Sequence, residues 1–232
     1  MEGQLNAAER AILIDRVAKL KPERVLEAGT WLGGGSTLHI LRTLRENGSG
    51  HLWGIEADRS VYDRMTANIT ADGPDLIALF TPLLGFSQEV IPRLLTQFAE
   101  NSTIGLAFLD GGDNPMEQVE EFHLLADHVP VGGVIFAHDA KRRKGKWLVP
   151  YLRAHDNWEC TLHDISDEGL LEARKLQASP SAASAARSLS VLNRLKRQPL
   201  ELLGRFLPTP LIRFLLALLP RKILLAVTQG RK

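Results

Sequence analysis

Short apolar runs alternate with longer amphipathic stretches along most of the chain. Apolar residues recur at helical spacing in five stretches, at 7–20, 36–47, 60–69, 87–99 and 116–128. Apolar runs of strand length lie between these stretches, at 24–29, 51–57, 76–82, 104–110 and 132–139. This alternation is typical of parallel βα units, in which each helix crosses over a sheet to reach the next strand.

Two further strands are predicted in residues 158–176, joined by a turn at 166–169. Because a short turn joins antiparallel strands, this pair is expected to close one edge of the sheet. We therefore predict an α/β fold with a doubly wound, mostly parallel seven-stranded sheet that ends in an antiparallel strand pair. The carboxyl ends of the parallel strands should form one edge, where ligands of open α/β sheets bind.

Composition divides the chain of 232 residues near residue 179. From Arg187 to the C-terminus there are ten basic residues and one acidic residue, whereas the preceding residues include 18 basic and 26 acidic ones. A stretch rich in Ser and Ala, at 178–190, marks the change. We predict a folded domain over residues 1–178 and, over residues 179–232, a linker followed by a basic, apolar helical tail.

Leucines and cations alternate along this tail, and four prolines divide it into short predicted helices. Its most apolar stretch, 211–227, is interrupted by Arg213 and Pro220 and is shorter than the roughly 20 apolar residues that a membrane span needs. Two interpretations stay open. The tail either lies on a membrane surface, where its cations meet anionic lipid, or docks on the acidic domain or on a partner subunit of a homo-oligomer.

Three further features of the sequence limit the expected cellular location and the classes of binding partner. The N-terminus carries acids and no apolar run, so we expect a cytoplasmic protein, peripheral at the inner membrane face if the tail binds lipid. The single cysteine, Cys160, excludes an internal disulfide and a multi-thiolate metal site. Nucleic-acid binding is disfavoured, because the domain is acidic and lacks interleaved aromatic residues for stacking bases.

A glycine-rich loop, EAGTWLGGGST at 27–37, follows the first predicted strand and suggests a nucleoside or phosphate-like ligand. A phosphate-binding P-loop needs Lys after its second glycine, but Gly35 follows Gly34 here. The dinucleotide pattern GxGxxG is broken by residues 30–32, which makes NAD a weak candidate. Ser36 or Thr37 is placed to cap the next helix.

A second acid, Glu56, ends the next strand, and the fourth and fifth strands end in DG and HD. With these features the sequence resembles the class I S-adenosylmethionine-dependent methyltransferases, within the branch related to small-molecule O-methyltransferases, over about residues 5–176. The resemblance implies a Rossmann-like fold. It also implies that the glycine loop approaches the methionine part of S-adenosylmethionine, although Thr30 stands where the family commonly has glycine.

The same resemblance implies that Glu56 accepts hydrogen bonds from the ribose hydroxyls and that Ser87 and Gln88 lie near adenine. A carboxylate at that strand end has the acceptors that a diol requires, and Asp58 is placed to assist. The residues that we assign to cofactor binding are Glu27, Gly29, Thr30, Gly33, Ser36, Glu56, Ala57, Ser87, Gln88 and Asp110.

Methyl transfer to a hydroxyl oxygen requires that the hydroxyl lose its proton, so a base or a metal is expected. In related metal-dependent methyltransferases, acids after the fourth and fifth strands hold a divalent cation. The resemblance therefore implies Asp110, Asp139 and His138 as candidate ligands of Mg²⁺ or Mn²⁺ and as catalytic residues, with His138 a candidate general base. The alternative is that Asp110 and Asp139 only cap the helices that follow them.

The predicted function is O-methylation of a small-molecule hydroxyl, in a sugar or natural-product intermediate, with S-adenosylmethionine as cofactor. The alternative is a non-catalytic cofactor-binding module that uses its tail as an interaction arm.

Two features near the predicted site have open interpretations. The basic run KRRKGKW, 141–147, either recruits an anionic acceptor or closes as a lid, or is solvated surface. Trp31 either covers the cofactor or packs at the rim.

Overall fold

The computed structural model describes residues 5–98, 102–112 and 114–197. Its strands are β1 Arg24–Ala28, β2 His51–Glu56, β3 Phe80–Leu84, β4 Leu106–Leu109, β5 Val134–Ala137, β6 Trp158–His163 and β7 Leu170–Lys175. Its helices are α1 Ala7–Leu20, α2 Thr37–Asn47, α3 Arg59–Asp72, α4 Pro74–Ile77, α5 Ser87–Leu95, α6 Pro115–Leu125, α7 Leu148–Arg153 and α8 Ala182–Lys196. A 3₁₀ turn covers Lys144–Lys146.

The strands form one sheet in the order β3-β2-β1-β4-β5-β7-β6. Strands β1 to β5 pair in parallel, and β7 runs antiparallel to both β5 and β6. The predicted α/β fold, with a mostly parallel seven-stranded sheet and an antiparallel terminal pair, is therefore confirmed. The chain changes direction across the sheet between β1 and β4, so the loops after these two strands separate and leave room for a ligand.

Helices cover both faces of the sheet, which explains why its central strands are apolar without alternation. Strands β4 and β5 are buried along their whole length. On one face Ala107 and Ile135 pack in a cluster with Phe122 of α6. On the other face Phe108 packs in a second cluster with Leu13 of α1. This packing fixes the strand ends, and with them the loops that form the candidate site.

The third strand was predicted at 76–82, and its predicted beginning is wrong. Residues 74–77 form the short helix α4, with Pro74 in its first turn, and β3 begins only at Phe80. Proline is favoured in the first turn of a helix, because its fixed φ suits that position and its missing N–H has no partner there. Helix α7 follows the 3₁₀ turn and was not anticipated from the sequence.

Helix α8 lies beyond the predicted boundary near residue 179 and packs on α7. Leu192 is buried in the core cluster that also holds residues of α7, and the Ser184 hydroxyl donates to the Ala154 carbonyl at 3.0 Å. Residues 198–232, including the apolar stretch 211–227, lie outside the described residues. Within the described part of the chain, no helix is long and apolar enough to cross a bilayer. The domain boundary stays a prediction.

Candidate functional site

A cleft of about 450 Å³ lies at the carboxyl edge of the sheet, between the loops that follow β1 to β5. Eight of the ten residues predicted to bind the cofactor line it, and the exceptions are Glu27 and Gly33. Asp139 lines it as well, whereas His138 lies behind its wall. The structure therefore brings most of the predicted site residues to one place.

Glu56 ends β2 with its carboxylate held at the wall of the cleft. One oxygen, Oε2, accepts from the Trp31 backbone N–H at 3.0 Å, and the other, Oε1, accepts from the Asp58 N–H at 3.0 Å. Each oxygen has a second lone pair, so the carboxylate is oriented and still able to accept two more hydrogen bonds. The Asp58 side chain instead caps α3 by accepting from Ser60 and Val61.

Gly29 joins the loop after β1 to the loop after β4. Its φ is +87°, and a Cβ at this position would lie 2.6 Å from backbone atoms of Asp110 and Gly111. Only glycine fits such an approach. Trp31 also has a positive φ, of 50°, and its side chain is 43% exposed at the rim of the cleft. This backbone conformation is uncommon for a bulky residue and is found most often at functional sites.

Glu27 and Ser36 brace the glycine loop from behind. Glu27 is fully buried, and its carboxylate accepts a hydrogen bond from the Ser36 hydroxyl. Burial raises the pKa of Glu27 to about 7. The predicted capping role of Ser36 is wrong, since its hydroxyl is committed to Glu27 and makes no cap hydrogen bond to α2. Gly33 packs against the side chains of Ile69 and Met65 of α3 rather than facing the cleft.

Ser87 and Gln88, predicted near adenine, lie at the end of the cleft beside β3. The Ser87 hydroxyl donates at 2.6 Å to Glu121 of α6, a residue that the sequence analysis did not single out. Burial raises the pKa of Glu121 to about 7. Phe86 also lines this end and leaves 64% of its surface exposed. An exposed aromatic ring at the mouth of a cleft provides a surface for a planar ligand.

Asp110, His138 and Asp139 lie together at the ends of β4 and β5. Their ligand atoms are all within 4.8 Å of one another. The His138 ring lies 3.1 Å from Asp110 Oδ1 through Nδ1 and 3.1 Å from Glu9 Oε2 through Nε2. Glu9 is fully buried on α1 and also accepts from the Ser166 hydroxyl at 2.5 Å. Glu9 was missed, although an acid in line with Leu13 and Val17 on a buried helix face is a detectable signal.

The surroundings of His138 disfavour its predicted role as a general base, which stays a prediction. Burial disfavours the imidazolium, but the hydrogen bond to Asp110 and the charges of Asp110, Asp139 and Glu9 outweigh it and raise the pKa of His138 to about 9. The ring is therefore protonated at neutral pH. Both of its nitrogens are occupied by carboxylates, so neither is available to a substrate hydroxyl.

Lys144 occupies the space between the two aspartates. Its Nζ lies 2.7 Å from Asp110 Oδ1, 3.1 Å from the Asp110 carbonyl oxygen and 3.2 Å from Asp139 Oδ2. The residue is only 6% exposed. The predicted metal ligands are thus adjacent and of suitable types, yet the same carboxylate oxygens already bind an ammonium group. With Lys144 in this position, the donor set does not fit a divalent cation.

Two other cations of the basic run, Lys141 and Arg142, pair outside the cleft. Lys141 pairs with Asp164 at 2.5 Å, and Arg142 pairs with Glu168 at 3.2 Å, both on the loop between β6 and β7. Of the expected roles, solvated surface does not describe Lys144, which is buried; recruitment of an anionic acceptor and closure as a lid stay predictions.

Neither aspartate caps a helix, as the alternative required. The Asn114 side chain caps α6, in a capping box completed by Glu117. The positive φ of Asp139, 56°, belongs to a turn in which its carbonyl accepts from the Arg142 and Gly145 N–H groups. The Asp110 and Asp139 side chains therefore do not serve as helix caps.

Comparison with known proteins identifies a domain and a fold. Residues 26–140 match a family model described as a methyltransferase domain. No curated protein sequence matches the chain. The O-methyltransferase TomG from Streptomyces achromogenes, solved with S-adenosylmethionine and involved in tomaymycin synthesis, is 18% identical and superposes with a TM-score of 0.64 over 75% of this chain and 82% of its own.

Two other solved structures have a similar fold. The O-methyltransferase from Bacillus cereus, in complex with S-adenosylhomocysteine, is 19% identical, with a TM-score of 0.60 over 74% of this chain and 82% of its own. Podospora anserina PaMTH1, also bound to S-adenosylhomocysteine, is 14% identical, with a TM-score of 0.61 over 75% and 80% of the two chains. The chain therefore contains a match to a methyltransferase domain over residues 26–140, and it shares its fold with solved O-methyltransferases.

Proposed function

We propose that this protein transfers the methyl group of S-adenosylmethionine to a hydroxyl oxygen of a small molecule, such as a sugar or a natural-product intermediate. The observation that carries the proposal is that one cleft contains both the oriented Glu56 carboxylate and the Asp110 and Asp139 carboxylates. The first suits the ribose of the cofactor, and the other two suit the acceptor. A module that only bound the cofactor would not require the second set.

In this proposal the cofactor lies along the ends of β1, β2 and β3. Glu56 accepts from the ribose hydroxyls with the lone pairs that Trp31 and Asp58 leave free. Adenine lies beside Ser87 and against the exposed ring of Phe86. The methionine part follows the loop at Gly29, which brings the sulfonium toward Asp110.

The acceptor hydroxyl lies against Asp139. Its oxygen attacks the methyl carbon in line with the carbon–sulfur bond, which breaks and leaves S-adenosylhomocysteine. The hydroxyl proton passes to the Asp139 carboxylate, which lines the cleft with 28% of its side chain exposed. Holding the two reactants in line removes much of the entropic barrier of the bimolecular step. Metal assistance is not part of this proposal, because Lys144 binds the carboxylate oxygens that a cation would need.

The test begins with calorimetric titration of the purified protein with S-adenosylmethionine, ATP and NAD. We expect binding of the first alone. Formation of S-adenosylhomocysteine is then followed with a panel of hydroxyl-bearing small molecules, with Asp139→Asn as the matched variant. The variant is expected to bind cofactor normally and to lose turnover. Cofactor binding with no turnover on any hydroxyl acceptor would favour the non-catalytic module, and no cofactor binding would refute the proposal.

For the tail we propose peripheral contact with a membrane surface, on the basis of its cations and leucines. A chain that ends at residue 197 keeps α8 and its packing on α7, so it is the preferred truncation. We expect the full chain, but not the truncated one, to co-sediment with vesicles of anionic lipid in a salt-dependent manner. A change in mass by light scattering, without vesicle binding, would instead indicate docking on a partner subunit.

A further inference from the structure

Lys144 is a buried cation in the wall of the cleft. It lies between two acids of the candidate site, Asp110 and Asp139. We propose that its ammonium group is a built-in cation, which replaces a bound divalent metal by bridging Asp110 and Asp139. This inference rests on the proposed function only for its catalytic consequence. The bridging itself can be tested without an acceptor.

The ammonium group of Lys144 contacts carboxylates from two strand ends. Its Nζ donates hydrogen bonds to Asp110 Oδ1 at 2.7 Å and to the Asp110 carbonyl at 3.1 Å, and it forms an ion pair with Asp139 Oδ2 at 3.2 Å. The two carboxylate oxygens come from different strands, as do the ligands of a cation held between two strand ends. Because its contacts are with these carboxylates, Lys144 acts as a positioning residue that fixes them.

The backbone around Lys144 holds it in this position. The next residue, Gly145, has no room for a side chain, since a Cβ there would lie 2.4 Å from Ala140 Cα. Its N–H donates to the Asp139 carbonyl at 3.2 Å, which folds the turn back onto the end of β5. The ion pairs of Lys141 and Arg142 hold the other end of the turn against the loop between β6 and β7. A surface lysine would need none of these constraints.

Electrostatics predicts that Lys144 and a divalent ion exclude each other. An ammonium group and a metal bound to the same carboxylates would lie within a few ångströms, and like charges at that distance repel strongly in a partly buried site. Removal of the ammonium should therefore convert Asp110 and Asp139 into a cation site. Carboxylate oxygens are ligands suited to Mn²⁺.

The experiment measures Mn²⁺ binding by electron paramagnetic resonance and calorimetry, using MnCl₂ alone, for the wild-type protein and four variants. Lys144→Ala is expected to bind Mn²⁺ about a hundredfold more tightly than the wild type. Lys144→Arg keeps the charge and should behave like the wild type. Arg174→Ala, the matched control, removes an exposed cation that pairs with Glu159 outside the cleft and outside this turn, and it should also behave like the wild type. Asp110→Asn combined with Lys144→Ala should abolish the gained binding.

If Lys144→Ala alone is unstable, Mn²⁺ should raise its Tm, whereas Mn²⁺ should leave the Tm of the wild type unchanged. Tight Mn²⁺ binding by the wild type that Asp110→Asn removes would overturn the inference, and so would a folded Lys144→Ala that gains no Mn²⁺ affinity. Neither result depends on the proposed function, which fails separately if the wild type does not bind S-adenosylmethionine or methylates no hydroxyl. Where turnover is found, it should resist EDTA in the wild type and depend on Mn²⁺ in Lys144→Ala.

Discussion

The two halves of the cleft are built in different ways. The cofactor half, at the ends of β1 to β3, depends on backbone conformation and on Glu56, whose hydrogen-bond partners lie 2 and 25 positions away in the chain. The acid half, at the ends of β4 and β5, depends on a cluster of charged side chains from distant parts of the chain, such as Glu9 and His138, which are 129 positions apart. The comparison shows that a local loop suffices to shape one half, whereas the other needs the complete tertiary structure.

The largest effect is expected at Gly29, where the two halves touch. Gly29→Ala requires a side chain at φ +87° and within 2.6 Å of the Asp110 backbone, so it should lower the free energy of unfolding by about 2 to 4 kcal/mol and disturb both halves. Gly48→Ala is the matched control, because Gly48 has φ +70° and nothing within 4 Å of its Cβ position. It should cost about 1 kcal/mol. If Gly29→Ala and Gly48→Ala lower the free energy of unfolding in urea by equal amounts, the contact between the halves is not needed for stability.

A change confined to the cofactor half should leave the acid half intact. Glu56→Ala removes the proposed ribose acceptor and should weaken S-adenosylmethionine binding by about 1.5 to 3 kcal/mol in calorimetry, the range for hydrogen bonds to a charged group. Asp63→Ala, which removes an exposed carboxylate of α3, is the control and should leave the affinity unchanged. An unchanged affinity in Glu56→Ala would remove this residue from the ribose site.

The buried acids behind the cleft should make stability depend on pH. The pKa of Glu27 is raised by burial from 4.5 to about 7, so between these values the folded state keeps a proton that the unfolded state releases. The free energy of unfolding therefore falls as pH rises through this window. The Glu27→Gln variant has no group that ionises at this position and should lack this fall. Its free energy of unfolding relative to that of the wild type should rise by about 1 to 3 kcal/mol between pH 4.5 and pH 8, as measured by urea unfolding.

Glu23→Gln, at an exposed acid, is the control for this pH effect and should leave the pH dependence of the free energy of unfolding unchanged.

The acid half adds a second fall of the free energy of unfolding, at higher pH. His138 has its pKa raised from 6.5 to about 9, so the stabilisation by its carboxylate partners is complete below pH 6.5 and is lost as pH rises through 9. A stability that rose from pH 5 to pH 9 would contradict both assignments.

The smallest effect is expected at the aromatic rim. Phe86→Ala should weaken S-adenosylmethionine binding by about 0.5 to 1.5 kcal/mol, because it removes a stacking surface from the adenine end of the cleft. Val131→Ala truncates another exposed apolar residue, 60% exposed and away from the cleft, and should leave the affinity unchanged. Equal affinities for the Phe86→Ala and Val131→Ala proteins would place adenine elsewhere.

The same contrast explains what the sequence could predict. Gly29 and Glu56 were identified because their roles follow from position at a strand end, which local patterns determine. Glu9, Lys144 and Glu121 were not, because each obtains its role from a partner on another element. Lys144 in particular lies in the basic run 141–147, for which the sequence left open recruitment of an acceptor, a lid or solvated surface, and the tight turn at Gly145 is what buries it. The error at β3 has a similar cause, since the apolar run at 76–79 suits a helix or a strand equally well.

The hydrogen bond between Glu9 and Ser166, which are 157 positions apart, has a consequence for the order of folding. Contacts between distant positions carry a larger entropic cost of loop closure and form late. The ribose site needs only residues 29–58, whereas the acid cluster waits for α1 to meet the loop between β6 and β7. On a growing ribosomal chain, α1 emerges first but obtains its partner only after most of the domain has been synthesised. We therefore expect the ribose part of the pocket to form before the acid cluster is in place.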